Sequence, residues 1–135
     1  MHDLPPELFE LSMSEESQPL MDAVQKHIED NVVPISDEFF ALNEEKEDRW
    51  TWHPRQLELL DGAKAKAKEM GLWNFFLPDA ETGEGLNNLD YAYLAAELGK
   101  YPLASETLNC SAPDTGNMEV LERVGTPEQK EQWLK

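Results

Sequence analysis

The stretch LMDAVQKHIEDNVVPISDEFFALN, residues 20–43, has the spacing of a long helix and indicates a helical fold. Its apolar side chains recur every three or four residues, a spacing that places them in one stripe along a helix. The stripe consists of Leu20, Val24, Ile28, Val32, Ile35, Phe39 and Leu42. The pattern therefore predicts a helix over 19–43. Pro34 lies inside it and lacks a backbone donor, so we expect a kink near Asp30.

Two more helices are predicted in the middle of the chain. One begins at Pro54 and ends at Gly71, because proline suits a first turn and glycine suits the residue after a helix. Its expected buried face is Leu57, Leu60, Ala63, Ala67 and Met70. The other helix spans 89–98, capped by Asn87 or Asn88 and ended by Gly99. Because this helix is apolar nearly all round, we expect it at the centre of the fold.

The apolar run LWNFFLPD, residues 72–79, has no second strand candidate to pair with, so we interpret it as a buried extended connector. A fourth helix is expected over 104–124, with a possible interruption at 113–116 and with Met118, Leu121 and Val124 on its later apolar face. Thr126, Pro127 and Gln129 then form a capping-box start for a fifth helix, whose buried face begins at Trp133 and Leu134. The prediction is an all-α bundle of about five helices, with an N-terminal arm over 1–18 and one helical domain over 19–135.

Charge and composition exclude several classes of function. The chain carries 28 acidic and 11 basic residues, a net charge of −17, which disfavours nucleic acid and anionic membrane surfaces. No apolar run approaches the length of a membrane span. The single cysteine, Cys110, cannot form an internal disulfide. With no signal-peptide pattern at the N-terminus, the expected location is the cytoplasm.

No catalytic set is visible in the residues themselves. His2, His27 and His53 have no metal-ligand spacing, so no metal site is expected. The loop ETGEG, residues 81–85, lacks the lysine of a phosphate-binding loop. Cys110 is either a reactive thiol or, as we favour, a packing residue.

Four motifs, in order, resemble the N-terminal helical domain of the acyl-CoA dehydrogenases. They are VQKHIEDNVVPISDEFF (24–40), KAKEMGLWNFFLPD (66–79), GEGLNNLDYAYLAAELGK (83–100) and VGTPEQKEQWLK (124–135). Three further stretches resemble the branch sometimes fused to a phosphotransferase-like kinase domain. These are RWTWHP (49–54), KAKEMGLWNFFLP (66–78) and LNCSAPDTGNMEVL (108–121).

The resemblance implies an oxidoreductase that removes two hydrogens from an acyl-CoA thioester with FAD as cofactor. A glutamate would take the α-proton, and this chain would lack it, because the family carries it in a C-terminal domain. FAD would be held mostly by a middle β domain and that C-terminal domain. The resemblance also implies an electron-transfer flavoprotein or similar acceptor, and a homo-oligomer at full length.

By the same resemblance, this domain supplies one wall of the acyl pocket. Matching the motif residue by residue gives Asn109, Cys110, Ala112, Pro113 and Gly116 as that wall. Small side chains leave room for an alkyl chain, but they also let helices pack closely, and both interpretations stay open. A further hypothesis gives Asn109 a hydrogen bond to a substrate hydroxyl.

Two other functions remain open beside the enzyme. The chain could be a stand-alone helical interaction or assembly protein derived from that domain, or a helical carrier that uses the same pocket. If it is instead part of a larger enzyme, we expect LWNFF, residues 72–76, and Trp133 to be covered by the other domains. The piece alone would then expose apolar surface and self-associate.

Overall fold

The computed structural model describes residues 11–134, and in this range the chain is helical, without a β-strand. The helices are α1 (Gln18–His27), α2 (Val33–Ala41), α3 (Pro54–Glu69), α4 (Asn88–Leu98), α5 (Ala104–Thr107), α6 (Asp114–Val124) and α7 (Pro127–Trp133). Short 3-10 turns lie at Glu15–Ser17 and Leu42–Glu45. The all-α prediction is confirmed. Most of the predicted arm, residues 1–10, lies outside the described residues.

The first predicted helix is present, but a π-helical turn, Ile28–Val32, separates α1 from α2. This interruption lies directly before Pro34, where the missing backbone donor prevents regular α-helical bonding. The apolar stripe is confirmed as the buried face, since Val24, Ile28 and Val32 are at most 1% exposed. These side chains form the centre of the main core.

Helix α3 begins at Pro54 as predicted, and Leu60, Ala63 and Ala67 of its predicted buried face are buried, but the other two residues of that face are not. Leu57 and Met70 are 42% and 39% exposed, whereas Gln56 is fully buried and Leu59 is 9% exposed. Gln56 is buried because its Nε2 donates to the carbonyl of Phe39 at 2.8 Å and to Oδ1 of Asn43 at 3.0 Å. The helix is therefore rotated to place an amide, rather than Leu57, against α2.

The connector after α3 is buried, as predicted, but it is not extended. Gly71 has φ +73°, which confirms its role after the helix end. The chain then forms consecutive turns, in which Leu77 N donates to the carbonyl of Asn74 at 3.1 Å. Leu72 and Phe75 are 3% and 1% exposed within this chain. The expectation that LWNFF needs other domains to cover it is therefore wrong.

Helix α4 is capped by Asn87, whose side chain accepts from Asp90 N at 2.8 Å. Only one face of this helix is buried, with Leu94 and Leu98 in the main core. Tyr93 is 41% exposed, and three alanines of the same helix are exposed as well. The central position predicted for this helix is wrong, because α1 and α5 pack against one side of it.

The predicted fourth helix is two helices, α5 and α6. The break falls at 108–113, before the position expected from sequence, and it contains a cis peptide bond between Ala112 and Pro113. The backbone turns there because Asn109 adopts φ +57° and Cys110 N donates back to the carbonyl of Ser105 at 2.8 Å.

Helix α7 starts with the predicted capping box. Gln129 N donates to Oγ1 of Thr126 at 3.3 Å, and Thr126 N donates to Oε1 of Gln129 at 2.9 Å. Leu134 is 6% exposed, but Trp133 is 59% exposed, so only Leu134 begins the predicted buried face. Leu134 closes a second, smaller apolar cluster with Phe76 and Leu77.

Candidate functional site

The segment from Thr107 to Gly116 joins α5 to α6 and changes from buried to exposed along its length. Thr107 and Asn109 are buried and Cys110 is half-buried, whereas the three small residues that follow are exposed. Those residues are Ala112, Pro113 and Gly116. The structure therefore divides the five residues predicted as a pocket wall into an inner pair and an outer row.

Asn109 turns its amide into the protein. Its Nδ2 donates to Oδ1 of Asn74 at 2.6 Å, and Asn74 Nδ2 donates to the carbonyl of Leu134 at 2.8 Å. Asn74 N donates in addition to the carbonyl of Leu108 at 3.3 Å. Sequence reasoning missed Asn74, although a single amide inside the apolar run LWNFFL is itself a sign of a buried polar contact.

Cys110 packs against the second apolar cluster, together with Tyr91, Met118 and Leu121. Burial raises the pKa of the Cys110 thiol to about 12, although a backbone hydrogen bond from Phe76 acts in the opposite direction. Burial, with smaller contributions from Cys110 and Glu119, also raises the pKa of Tyr91 to about 12. The thiol is therefore protonated near neutral pH, which favours packing over a reactive role.

The outer row borders open space. A Cβ atom added at Gly116 would meet no heavy atom within 4 Å. On the same face of α6, one and two turns further along, Val120 and Val124 are 60% and 76% exposed. Sequence reasoning had placed Val124 on the buried face with Met118 and Leu121, which do pack inward. The outer face of α6 thus leaves Gly116, Val120 and Val124 exposed within residues 11–134.

Across residues 11–134, no group of three or more His, Cys, Asp or Glu side chains lies close enough to hold a metal ion. Every buried side-chain nitrogen or oxygen in this range already has a hydrogen-bond partner. In this part of the chain, no buried polar side chain is therefore left to bind a cofactor without breaking an existing hydrogen bond. None of its helices is long and apolar enough to cross a membrane.

Comparison with known proteins assigns the fold. The family profile "Acyl-CoA dehydrogenase, N-terminal domain" matches residues 14–135. Acyl-CoA dehydrogenase family member 10 of Mus musculus is 44% identical over 120 residues, which is 85% of this chain and 11% of the relative. Acyl-CoA dehydrogenase family member 11 of Gallus gallus is 41% identical over 136 residues, 98% of this chain and 16% of the relative.

A solved structure agrees with these relatives. A Mycobacterium abscessus chain assigned to the acyl-CoA dehydrogenases superposes on this chain with a TM-score of 0.73 at 42% identity. The match covers 91% of this chain and 31% of the Mycobacterium abscessus chain. The resemblance found in the sequence is confirmed. This chain belongs to the acyl-CoA dehydrogenase family, and residues 14–135 correspond to the N-terminal domain of that family.

Proposed function

We propose that this chain is the N-terminal helical part of a longer FAD-dependent acyl-CoA dehydrogenase and supplies one wall of its acyl pocket. The chain covers 11 to 16% of the length of the two curated relatives described above, so there is room in such proteins for the remaining domains. The catalytic glutamate and most FAD contacts would come from a middle β domain and a C-terminal helical domain.

One observation carries the assignment of the wall: Gly116 faces open space on the outer face of α6. The competing explanation was that small residues allow close helix packing. Within residues 11–134, no atom approaches the Cβ position of Gly116 within 4 Å, so no helix of this range uses that space. An alkyl chain could lie there against Ala112 and Pro113, both of which are exposed.

The contribution of this domain to dehydrogenation would be orientation and exclusion of water. When bound, FAD would supply the acceptor for a hydride from the β-carbon, and the glutamate of the C-terminal domain would supply the base for the α-proton. Both transfers require the acyl chain to be held in one alignment, and a misplacement of about 1 Å can cost on the order of 10²-fold in rate. A wall anchored through Asn109 and Asn74 to the core would hold that alignment.

We further propose that the domain begins near Ser14 rather than at residue 19. Ser14 N and Ser14 Oγ each donate to Asp90 at 2.8 Å, and Ser17 Oγ donates to the same carboxylate at 3.0 Å. These bonds support including the Glu15–Ser17 turn in the helical domain. A full-length enzyme of this family would pass electrons to a flavoprotein-type acceptor and would assemble as a homo-oligomer.

Expression of the chain with whatever its reading frame encodes after Lys135 tests the proposal. The purified product should show a flavin absorbance spectrum, and anaerobic addition of a saturated acyl-CoA should bleach that band. A flavin band that no acyl-CoA bleaches would contradict dehydrogenation. A stop codon after Lys135, with stable expression of the short chain, would support the alternative of a stand-alone interaction protein.

A further inference from the structure

We propose that Asn74 is a positioning residue for the acyl-pocket wall and determines which acyl chain lengths the enzyme accepts. The inference rests on the proposed function of the wall. Asn74 is 1% exposed, and neither the sequence motifs nor the comparisons assign it a role. It makes no contact with the outer row itself, so its effect on substrate would act through Asn109.

Three segments that are distant in sequence meet at Asn74. Its backbone N–H donates to the carbonyl of Leu108, and its side chain accepts from Asn109 and donates to the carbonyl of Leu134. Leu108 and Asn109 begin the segment that carries Cys110 to Gly116, and Leu134 follows α7. The residue therefore sets the position of the wall segment relative to the connector and to the end of α7.

The chemistry of this position selects asparagine. Asn74 has φ +59°, in the left-handed region that asparagine and glycine tolerate best. Glycine would keep the backbone conformation but lose both side-chain bonds. Aspartate would still accept from Asn109 but, when ionised, could not donate to the carbonyl of Leu134. Of these three residues, only asparagine combines tolerance of the left-handed backbone with a side-chain acceptor and a side-chain donor.

The wall is sensitive to this pair because Asn109 is itself left-handed, with φ +57°. The direction of the chain from Cys110 onward follows from the backbone angles of Asn109, and its buried amide has Asn74 as the hydrogen-bond acceptor. Loss of Asn74 leaves a buried donor unsatisfied, a situation that typically forces local rearrangement. The rearrangement would move the outer row without unfolding the helices on either side.

Gln56 provides a matched control. It is also fully buried and its amide also bridges two partners, Phe39 and Asn43, but neither of these hydrogen bonds involves the segment from Thr107 to Gly116. Gln56→Ala should therefore lower stability in the same manner as Asn74→Gly without moving the wall. The pair of variants separates a positioning effect from a general loss of stability.

The first test needs no catalytic activity. Cys110 is the single cysteine, so the rate at which it reacts with a disulfide reagent under native conditions reports the environment of the wall. Asn74→Gly should raise that rate on the order of tenfold, since each unit by which the thiol pKa falls multiplies the thiolate fraction by about ten. Gln56→Ala should stay near the wild-type rate. Equal rates in both variants would overturn the inference.

The second test uses the full-length enzyme and the ratio of kcat/KM for long-chain over short-chain acyl-CoA. Asn74→Gly should change this ratio by roughly tenfold to 100-fold with flavin content unchanged, whereas Gln56→Ala should leave the ratio unchanged. Asn74→Asp, which keeps the acceptor for Asn109, should restore part of the wild-type ratio. An unchanged ratio in Asn74→Gly overturns the inference.

The variant Gly116→Leu distinguishes two explanations of an unchanged kcat/KM ratio in Asn74→Gly. If Gly116→Leu changes the ratio and Asn74→Gly does not, the wall is correct and the role given to Asn74 is wrong. If neither variant changes the ratio, the proposed wall itself fails, and the inference about selectivity fails with it.

Discussion

The imidazole Nε2 of His27 lies 3.0 Å from the hydroxyl oxygen of Thr107, and both residues are fully buried. The Thr107 hydroxyl donates to the carbonyl of Ala104 at 2.8 Å, so its oxygen accepts from His27 Nε2–H. Asn31 Nδ2 lies 3.3 Å from His27 Nδ1 and donates to it. This arrangement assigns a neutral imidazole, and it joins the end of α1 to the end of α5, two residues before Asn109.

The His27 contact predicts a pH dependence of stability. Burial lowers the pKa of His27 below the ordinary histidine value of 6.5, so the unfolded chain binds the proton more readily than the folded chain. The stabilisation is therefore complete above about pH 6.5 and is lost as pH falls through the lower, folded pKa. In urea unfolding series, the slope should reach at most about 1.4 kcal/mol per pH unit in this window.

His27→Gln should flatten that slope while keeping a donor for Thr107. An identical slope in wild type and His27→Gln would show that another group causes the dependence.

Asp90 should hold the beginning of the domain in place. Hydrogen bonds from the backbone N–H of Ser14 and then from its hydroxyl lower the pKa of Asp90 below the ordinary aspartate value of 3.8, and Ser17 and Asn87 add further hydrogen bonds. This contribution is present above the unfolded pKa and is lost as pH falls through the folded pKa, a window well below that of His27. The two residues can therefore be separated by titration.

Asp90→Asn should raise amide hydrogen exchange in residues 11–20 by roughly tenfold at neutral pH, since the acceptor of the Ser14 amide loses its charge. Asp61→Asn, at an exposed position of α3, is the matched control and should leave that exchange unchanged. If the exchange of residues 11–20 rises equally in both variants, Asp90 does not anchor the segment.

The rotation of α3 is tested by two leucines. Leu60 is 5% exposed and lies in the main core, so Leu60→Ala should lower the free energy of unfolding by about 2–5 kcal/mol. Leu57 is 42% exposed, and Leu57→Ala should change the free energy of unfolding by about 0.5 kcal/mol or less. Chemical denaturation measures both. Comparable losses in the two variants would favour the helix phase expected from the apolar pattern.

The extent to which the fold follows from sequence depends on where the deciding interactions lie. The apolar stripe that runs through α1, the π-helical turn and α2 was predictable because Val24, Ile28 and Val32 recur with the period of a helix and are buried together. The helix starts at Pro54 and Pro127 were predictable because capping is local. The burial of Gln56 in place of Leu57 on α3 was not, since it depends on a hydrogen bond from Gln56 to Phe39, 17 residues away.

The candidate site was predictable only in part. Resemblance placed Asn109, Cys110 and Gly116 in one segment, and the structure shows which of them face inward. The connector was mispredicted as extended because its turns depend on Asn74, whose side-chain partners are 35 and 60 residues away in sequence. Contacts of that range leave no periodic signal, and a lone amide in an apolar run was the one indication available.

The most direct test of the acyl-pocket wall is the chain-length profile of Gly116→Leu in the full-length enzyme. Gly62→Leu is the matched control, because a Cβ at Gly62 also meets nothing within 4 Å, but on α3. If Gly116 lines the acyl pocket, the leucine side chain should lower kcat/KM for long-chain acyl-CoA by about tenfold or more relative to short-chain substrates, with Gly62→Leu unchanged. Equal profiles for Gly116→Leu, Gly62→Leu and wild type would contradict the assignment of this domain as a wall of the acyl pocket.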